Sequence, residues 1–472
     1  SDTEVLLKLY SEYGSDMVHK VRGMFAFAIW DDSKKGILLA RDPFGVKPLY
    51  IADDGKTIRF ASQVKALLAG GAIDRTSDPA GHVGFFIWGY VPEPHTLYRG
   101  IKSLPAGSTM WILPDTPPQT EKFFNISVEL SNAESLEKSE IFDRRELRKN
   151  LLDSIEYHLV SDVPVGVFLS SGLDSATILA LASELKDTQL KTITLAFEEF
   201  SNTINDEVPV AEEIARLYKT EHSSIIINKT DFEQEYAKLL ESMDQPSIDG
   251  VNCYFVSLAA KREGLKAVLS GLGGDELFGG YSTFKDIPKL VNATKFISKN
   301  KLIGKGFRFL TNPIFKRITS PKYAGIIEWG GNYANAYLLR YALYMPWELP
   351  EVLDPDLARQ GWAELGIERR LHDSYNNVKS PQLIIKALEH EWYMRCQLLR
   401  DADWASMAHS LELRVPFVDV RLFESLHRLD RDGTEIKKID KIARSKNRKV
   451  KVGLRLNPNT DAKTLSQIST GK

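Results

Sequence analysis

Between about residues 140 and 285, short apolar segments alternate with longer helix-like segments. Strands are predicted at 163–169, 190–197, 223–227 and 267–270, and helices at 175–185 and 208–218. Strands that alternate with helices are typical of a parallel sheet covered by helices on both faces. This pattern constrains the fold of the chain most, and it predicts an α/β domain with a doubly wound parallel sheet.

The first 110 or so residues have a different pattern, in which short strands are separated by turns. Met24–Trp30 is a nearly continuous apolar run that predicts a buried strand, 31–36 has turn residues, and 37–40 is apolar again. A β-hairpin is the simplest structure for this order. Residues 116–139 are rich in polar residues and follow a proline-rich turn, which predicts a domain linker.

Composition limits the classes of protein that the chain can belong to. A chain of 472 residues is too long for one compact core, and two to four domains are expected. A net charge of -2 gives no overall attraction to nucleic acid or to membranes. No apolar run is long enough to predict a transmembrane helix, and no signal peptide is recognised.

The two cysteines, Cys253 and Cys396, lie in apolar, helix-like contexts. Buried free thiols are favoured over a disulfide or a nucleophile, which fits a reducing, cytoplasmic location.

A basic segment spans 285–322, where ten Lys or Arg residues occur with a single Asp, interleaved with Phe and Ile. One interpretation is a solvated helical extension. The other is a docking face for an anionic partner or a membrane surface.

The segment Leu169–Ser175 lies between a predicted buried strand and a helix. At such a turn, several backbone N–H groups and the helix N-terminus point to one place, which suits a phosphate. Gly172 permits close approach of the backbone, and Asp174 is a candidate ligand for magnesium. Hydroxyl donors are offered by the three serines of this loop, Ser170, Ser171 and Ser175. The alternative is a helix that is merely capped by Ser or Asp.

These residues resemble a known family. The run Ser170–Ser175 resembles the pyrophosphate loop of the N-type ATP pyrophosphatases, and 161–170 narrows the resemblance to the glutamine-dependent asparagine synthetases. Segments 270–281, 400–407 and 412–419 are similar to later motifs of that family, and Arg41–Tyr50 resembles its glutaminase domain.

The resemblance implies a partial Ntn-type glutaminase domain of α+β class with antiparallel sheets, followed by an ATP pyrophosphatase domain with a doubly wound parallel sheet and a helical extension. It places the glutaminase part at 1–115, the linker at 116–139 and the ATP pyrophosphatase part at 140–430. The implied activity is a ligase reaction, in which ATP converts a carboxylate to an acyl-adenylate and ammonia then gives an amide, AMP and pyrophosphate.

The family's site residues carry over by position. Contacts to ATP are implied for Leu169, Ser170, Ser171, Gly172, Leu173, Ser175, Leu195, Ser270 and Gly271. Catalytic roles are implied for Asp174, Asp275 and Glu276, and the first two are also the implied Mg2+ ligands. Asp2 matches the carboxylate that binds the α-amine of glutamine.

The sequence departs from the family pattern in three places. The family's N-terminal cysteine nucleophile has no counterpart before Cys253, which predicts that this chain does not hydrolyse glutamine. Leu272 stands where asparagine synthetases have a glutamate that helps to form the adenylate. Residues 431–472 lack the family's lysine segment and instead resemble a fragment of a diaminopimelate-decarboxylase-like barrel.

The expected partners are a small-molecule carboxylate, either aspartate or a sugar acid of surface-polysaccharide synthesis, and ammonia or glutamine. No nucleic acid is expected, and a homodimer is one assembly that the resemblance allows. A catalytically incomplete relative that only binds ATP is the alternative function.

Overall fold

The first part of the chain is built on two antiparallel sheets. The computed structural model describes residues 1–136, 143–185, 189–203, 206–318 and 320–429. The strands of this part are β1 (Ala26–Asp31), β2 (Gly36–Arg41), β3 (Tyr50–Asp53), β4 (Ile58–Ala61), β5 (Ile101–Ser103), β6 (Ser108–Ile112) and β7 (Gln119–Lys122). Its helices are α1 (Asp2–Tyr13), α2 (Val64–Ala69), α3 (Pro79–Trp88) and α4 (Ile126–Ser135). One sheet has the order β1-β2-β6-β7 and the other β4-β3-β5.

The predicted hairpin is present. Strands β1 and β2 pair antiparallel from Asp31 opposite Gly36, and the Asp31 carboxylate accepts hydrogen bonds from the backbone N–H groups of Ser33 and Lys34 at 2.9 and 3.1 Å. The β1 strand is less buried than its apolar run predicts, because side chains alternate between the faces of a sheet. Trp30 points outward and is 57% exposed.

The described part of the expected linker, residues 116–136, contains two regular elements. Strand β7 pairs with β6, and the Asn125 side chain caps α4 by accepting from Ser127 N at 3.0 Å. All four residues of β7 are exposed and polar, so the strand has no apolar signal. Helix α4 buries Ile126 and Leu130 in the core. Because most of its other residues are polar, its composition does not indicate a packed helix.

The second part of the chain is built on a five-stranded sheet in which all neighbours are parallel. Its strands are β8 (Val165–Phe168), β9 (Lys191–Phe197), β10 (Glu221–Ile227), β11 (Ala267–Leu269) and β12 (Glu412–Arg414), in the order β10-β9-β8-β11-β12. Because parallel crossovers are right-handed, the reversal of strand order at β8 places the connecting helices on opposite faces. The predicted doubly wound sheet is confirmed, with β12 as an additional strand.

Helices surround this sheet and extend beyond it. They are α5 (Arg144–Leu159), α6 (Leu173–Leu185), α7 (Val208–Leu217), α8 (Lys229–Ser242), α9 (Val251–Arg262), α10 (Gly274–Phe278), α11 (Thr283–Thr294), α12 (Lys301–Ile318), α13 (Ile326–Trp329), α14 (Tyr333–Tyr341), α15 (Pro355–Leu365), α16 (Ile367–Asp373), α17 (Pro381–Leu388), α18 (Arg400–Met407) and α19 (Val420–Leu429). Short 3-10 helices lie at Gly14–His19, Glu198–Phe200, Ile297–Lys299, Pro321–Gly325 and Leu349–Glu351, and a π-helix at Glu389–Leu399 joins α17 to α18.

The two parts share one apolar core. Phe44, Val83 and Ile87 from the first part pack in the same cluster as Leu179, Leu338 and Phe423 from the second. Within the described residues, none of the helices has both the length and the apolar character required to cross a bilayer. The expected tail, 431–472, lies outside the described residues.

Candidate active site

A cavity of about 680 Å³ lies where the order of the parallel strands reverses. Strands β8 and β11 are neighbours at this point, and the chain leaves each of them through a loop that lines the cavity. The carboxyl ends of parallel strands lie at one edge of the sheet, and open α/β sheets bind their ligands there at such reversals. The topology therefore brings together two loops that are about 100 residues apart in sequence.

Most of the residues predicted from the sequence to belong to the site line this cavity. Ten of them line it: Leu169, Ser170, Gly172, Asp174, Ser175, Leu195, Ser270, Gly271, Asp275 and Glu276. Ser171 and Leu173 belong to the same segment but do not line the cavity. Leu173 is buried, and Ser171 hydrogen-bonds Glu207. Asp2 begins the exposed helix α1 and does not line the cavity.

The first loop is shaped by hydrogen bonds to one buried hydroxyl. Ser175 Oγ lies 2.9 Å from Ser170 Oγ and accepts a hydrogen bond from Ser170 N at 3.1 Å. It also lies within donating distance of two backbone oxygens, Ser170 O at 3.2 Å and Gly172 O at 3.1 Å. In turn, Ser170 Oγ accepts from Gly172 N at 3.1 Å. These bonds close the loop on the first turn of α6.

The second loop packs directly against the first. A Cβ atom at Gly271 would lie 3.0 Å from Ser175 N, and one at Gly274 would lie 2.5 Å from the carboxyl carbon of Asp174. Side chains at these two positions would therefore force the loops apart. Gly273, between them, has a φ of +89°, a conformation that side chains rarely adopt.

Both loops are anchored to the sheet at their first residue. Leu169 N donates to Ile193 O of β9 at 2.9 Å, and Thr194 Oγ1 donates to Leu169 O at 2.6 Å. Ser270 N donates to Arg414 O of β12 at 2.8 Å. The unpredicted strand β12 thus fixes the start of the second loop.

Buried acidic groups lie behind the second loop. Burial raises the pKa of Glu276 to about 8, with a further contribution from the negative charge of Asp275, against the hydrogen bond that Tyr281 donates to Glu276 at 2.7 Å. Farther in, burial raises the pKa of Glu389 to about 7, although three hydroxyl groups donate to it. These donors are Thr283, Tyr337 and Tyr341, at 2.6 to 3.2 Å.

Sequence reasoning did not assign Glu207, Tyr281 or Cys253 to this site, yet all three line the cavity. Leu272, whose position departs from the family pattern, lines it as well. Tyr281 and Leu272 fall within the quoted motif 270–281, but Glu207 follows a different strand and has no motif around it. Both cysteines are free thiols, as predicted, but only Cys396 is buried, and Cys253 is partly exposed. Desolvation raises the pKa of the Cys253 thiol to about 12, so it is protonated and a poor nucleophile near neutral pH.

The cavity has a donor set that fits Mg2+. Two carboxylates, Asp174 and Asp275, line it from opposite loops. Mg2+ prefers oxygen ligands, and in nucleotide sites it takes one or two carboxylates together with phosphate oxygens and water. Among the described residues no group of three or more His, Cys, Asp or Glu side chains is placed to hold a metal. The two aspartates therefore suit an ion that arrives with a phosphate ligand rather than a site made by the protein alone.

Most of the chain is similar in sequence to known protein families. Residues 146–446 match the family model of asparagine synthase, and 1–124 match that of a glutamine amidotransferase domain. Asparagine synthetase [glutamine-hydrolyzing] 1 of Bacillus subtilis is 32% identical over 437 residues, covering 90% of this chain and 64% of the relative. Putative asparagine synthetase [glutamine-hydrolyzing] 2 of Methanocaldococcus jannaschii is 32% identical over 421 residues, covering 82% of this chain and 75% of the relative.

Asparagine synthetase B of Escherichia coli is 32% identical over 306 residues, or 61% of this chain and 48% of the relative. The chain thus spans less than two thirds of the length of the Bacillus subtilis relative. Among solved structures, the allosteric regulatory enzyme of purine biosynthesis matches at 16% identity over 57% of this chain and 47% of that one, with a TM-score of 0.19, a likeness too weak to carry an argument.

Proposed function

Because the chain belongs to the asparagine synthase family, we propose that it is an ATP-dependent ligase that converts a carboxylate to an amide. The observation that supports this most directly is the meeting of two loops at neighbouring strand ends, each of which contributes an aspartate, Asp174 or Asp275, to the lining of one cavity. The cavity volume of about 680 Å³ is within the usual range for a site that binds small molecules.

In the proposed first step, the acceptor carboxylate attacks the α-phosphorus of ATP. A P–O bond forms to the acceptor, the bond between the α-phosphorus and the bridging oxygen breaks, and pyrophosphate leaves. The backbone N–H groups and hydroxyls of the first loop would hold the phosphates. Mg2+, when bound by Asp174 and Asp275, would neutralise charge on the departing pyrophosphate.

In the proposed second step, ammonia attacks the acyl carbon of the adenylate. A C–N bond forms, the C–O bond to AMP breaks, and the added nitrogen loses a proton. Glu276 is the proposed acceptor of that proton, because it lines the cavity and its pKa of about 8 is near the operating range of a general base.

The acceptor itself is proposed to be aspartate or a sugar carboxylate. Leu272, in the second loop, lines the cavity with an apolar side chain. The asparagine synthetases that this chain resembles have a glutamate at this position. An apolar side chain at this place favours an acceptor without a charged amino group. This is the observation that supports a sugar acid as the second candidate, beside aspartate. Ammonia is the proposed nucleophile, supplied directly or from glutamine.

The test is exchange of labelled pyrophosphate into ATP, which reports adenylate formation without the second step. We expect exchange that depends on Mg2+ and on one acceptor from a set that includes aspartate and uronic acids. Asp174→Asn should reduce it by about 100-fold or more, because the isosteric amide cannot hold the metal. Asp286→Asn, an exposed site on α11, is the matched control and should keep normal exchange.

Two outcomes would contradict the proposal. Equal exchange by the wild type and Asp174→Asn would place the chemistry elsewhere. ATP binding without exchange for any acceptor would instead indicate a nucleotide-binding relative that has lost the ligase reaction.

A further inference from the structure

Helix α12 presents an apolar face to solvent. Five large apolar side chains along one side of it are between 53% and 82% exposed, namely Leu302, Ile303, Phe309, Leu310 and Ile314. Several of them are four, seven or eight residues apart, which places them on one stripe of a helix. A surface helix normally turns such a stripe toward the core, so the orientation of α12 is the reverse of the usual one.

The contacts of the opposite face fix this orientation. Arg308 Nε donates to Glu328 at 2.8 Å, and its guanidinium lies 4.4 Å from the centre of the Trp347 ring. Gly304 lies so close to α13 that a Cβ atom would come within 2.8 Å of Glu328 Cα. Rotating the helix to bury its apolar stripe would break the ion pair and put larger residues into this narrow contact.

The apolar stripe is surrounded by positive charge. Residues 285–322 contain ten Lys or Arg residues and one Asp. Lys295, Lys305 and Arg317 are exposed next to the stripe in sequence, and Phe296 and Ile297 extend its apolar character at 72% and 50% exposure.

The positive charge around the stripe disfavours some partners and favours others. A second copy of the chain would bring two sets of cations together, which like-charge repulsion opposes. Residues 436–455 contain nine Lys or Arg residues and one Asp, so this later part of the chain carries the same sign. An anionic surface with an apolar interior complements both the charge and the stripe.

We propose that α12 attaches this protein to the surface of membranes that contain anionic lipids. The helix would lie in the plane of the interface, with Phe309 and Leu310 among the acyl chains and the flanking lysines at the headgroups. An amphipathic helix with aromatic and aliphatic residues on one side and cations around it binds in this way without spanning the bilayer. The inference is independent of the ligase reaction, because α12 contributes no residue to the cavity.

Flotation of the full chain with lipid vesicles tests the proposal. We expect binding to vesicles with about 30% phosphatidylglycerol, little binding to pure phosphatidylcholine, and weaker binding as salt rises to about 0.5 M. The double variant Phe309→Gln with Leu310→Gln should reduce the partition coefficient at least tenfold. Both side chains are at least 74% exposed, so the variant loses little packing.

A matched control is Leu217→Gln, at a side chain 64% exposed on α7 outside this region. It should bind vesicles as the wild type does. Absence of binding to anionic vesicles, or equal binding by the double variant, would overturn the proposal. So would a dimer in solution that the double variant converts to a monomer, because the stripe would then be a subunit interface.

Discussion

Two effects oppose each other at Glu276, at the scale of a single residue. Burial and the charge of Asp275 raise its pKa, while the hydroxyl of Tyr281 stabilises the ionised form. Burial prevails, and the resulting pKa of about 8 leaves this carboxyl group mostly protonated at neutral pH. A protonated carboxyl group cannot accept a proton, so the rate of the proposed second step is limited at neutral pH. The rate increases as the pH rises and the group ionises.

We therefore expect the rate of amide formation to rise with pH through about 8, as the Glu276 carboxyl group loses its proton. Hydroxylamine is the nucleophile of choice, because it stays neutral across this range and does not add a titration of its own. Glu276→Gln should lower the rate of the second step by about 100-fold and remove the rising limb. The measurement is the rate of hydroxamate formation as a function of pH.

Glu156→Gln, an exposed change on α5, is the control and should preserve the profile. Pyrophosphate exchange should survive in Glu276→Gln, since the first step needs no proton acceptor. A rising limb that persists in this variant would assign the titration to another group.

At the scale of elements, the site depends on how closely the beginning of α10 approaches the first loop. Gly274, the first residue of α10, lies against the carboxylate of Asp174 with no room for a methyl group. Helical propensity favours alanine at this position, so glycine is explained by the contact and not by the helix.

Gly274→Ala should displace the Asp174 carboxylate and reduce pyrophosphate exchange by about 100-fold, since small displacements of reacting groups have effects of that order. Gly306→Ala is the control, because a Cβ atom there meets nothing within 4 Å. We expect that variant to exchange pyrophosphate normally and to be more stable by up to about 1 kcal/mol. Normal exchange by Gly274→Ala would contradict the assigned geometry of the two loops.

At the scale of the whole molecule, a buried ion pair joins the two parts of the chain. Arg22, from the first part, donates two hydrogen bonds to Asp419 at 2.7 and 3.0 Å, and the side chains are 9% and 1% exposed. Asp419 also accepts from Leu422 N in the first turn of α19, so it links the ion pair to a helix terminus. The shared apolar core and this pair predict that the two parts unfold together.

Arg22→Met should destabilise the protein by about 3–5 kcal/mol, because it leaves the Asp419 carboxylate buried without its partner. Arg99→Met breaks another ion pair between the two parts, with Glu364, but those side chains are 41% and 36% exposed. It should cost less than about 1 kcal/mol. Denaturant unfolding followed by two spectroscopic probes measures both, and separate transitions in the wild type would contradict a single cooperative unit.

The sequence predicts the central sheet and both loops because their signals are local. Strands β8 and β9 are apolar runs, and the loop after β8 has a recognisable motif. Strand β12 gives no such signal, because it has three residues of which only Leu413 is buried. Which loop residues face the cavity also depends on backbone direction and distant contacts, and neither Ser171 nor Glu207 could be placed from the sequence.

The two loops are far apart along the chain, so the residues between them can change in evolution without changing the loops. About 95 residues, including β9, β10 and α9, connect them, and several of these residues line the cavity. Substitutions there can change which acceptor is recognised while the glycine-mediated junction of the loops stays intact. Under the proposed reaction, new substrate preferences arise from changes in these lining residues, while the two loops proposed to hold ATP keep their contact.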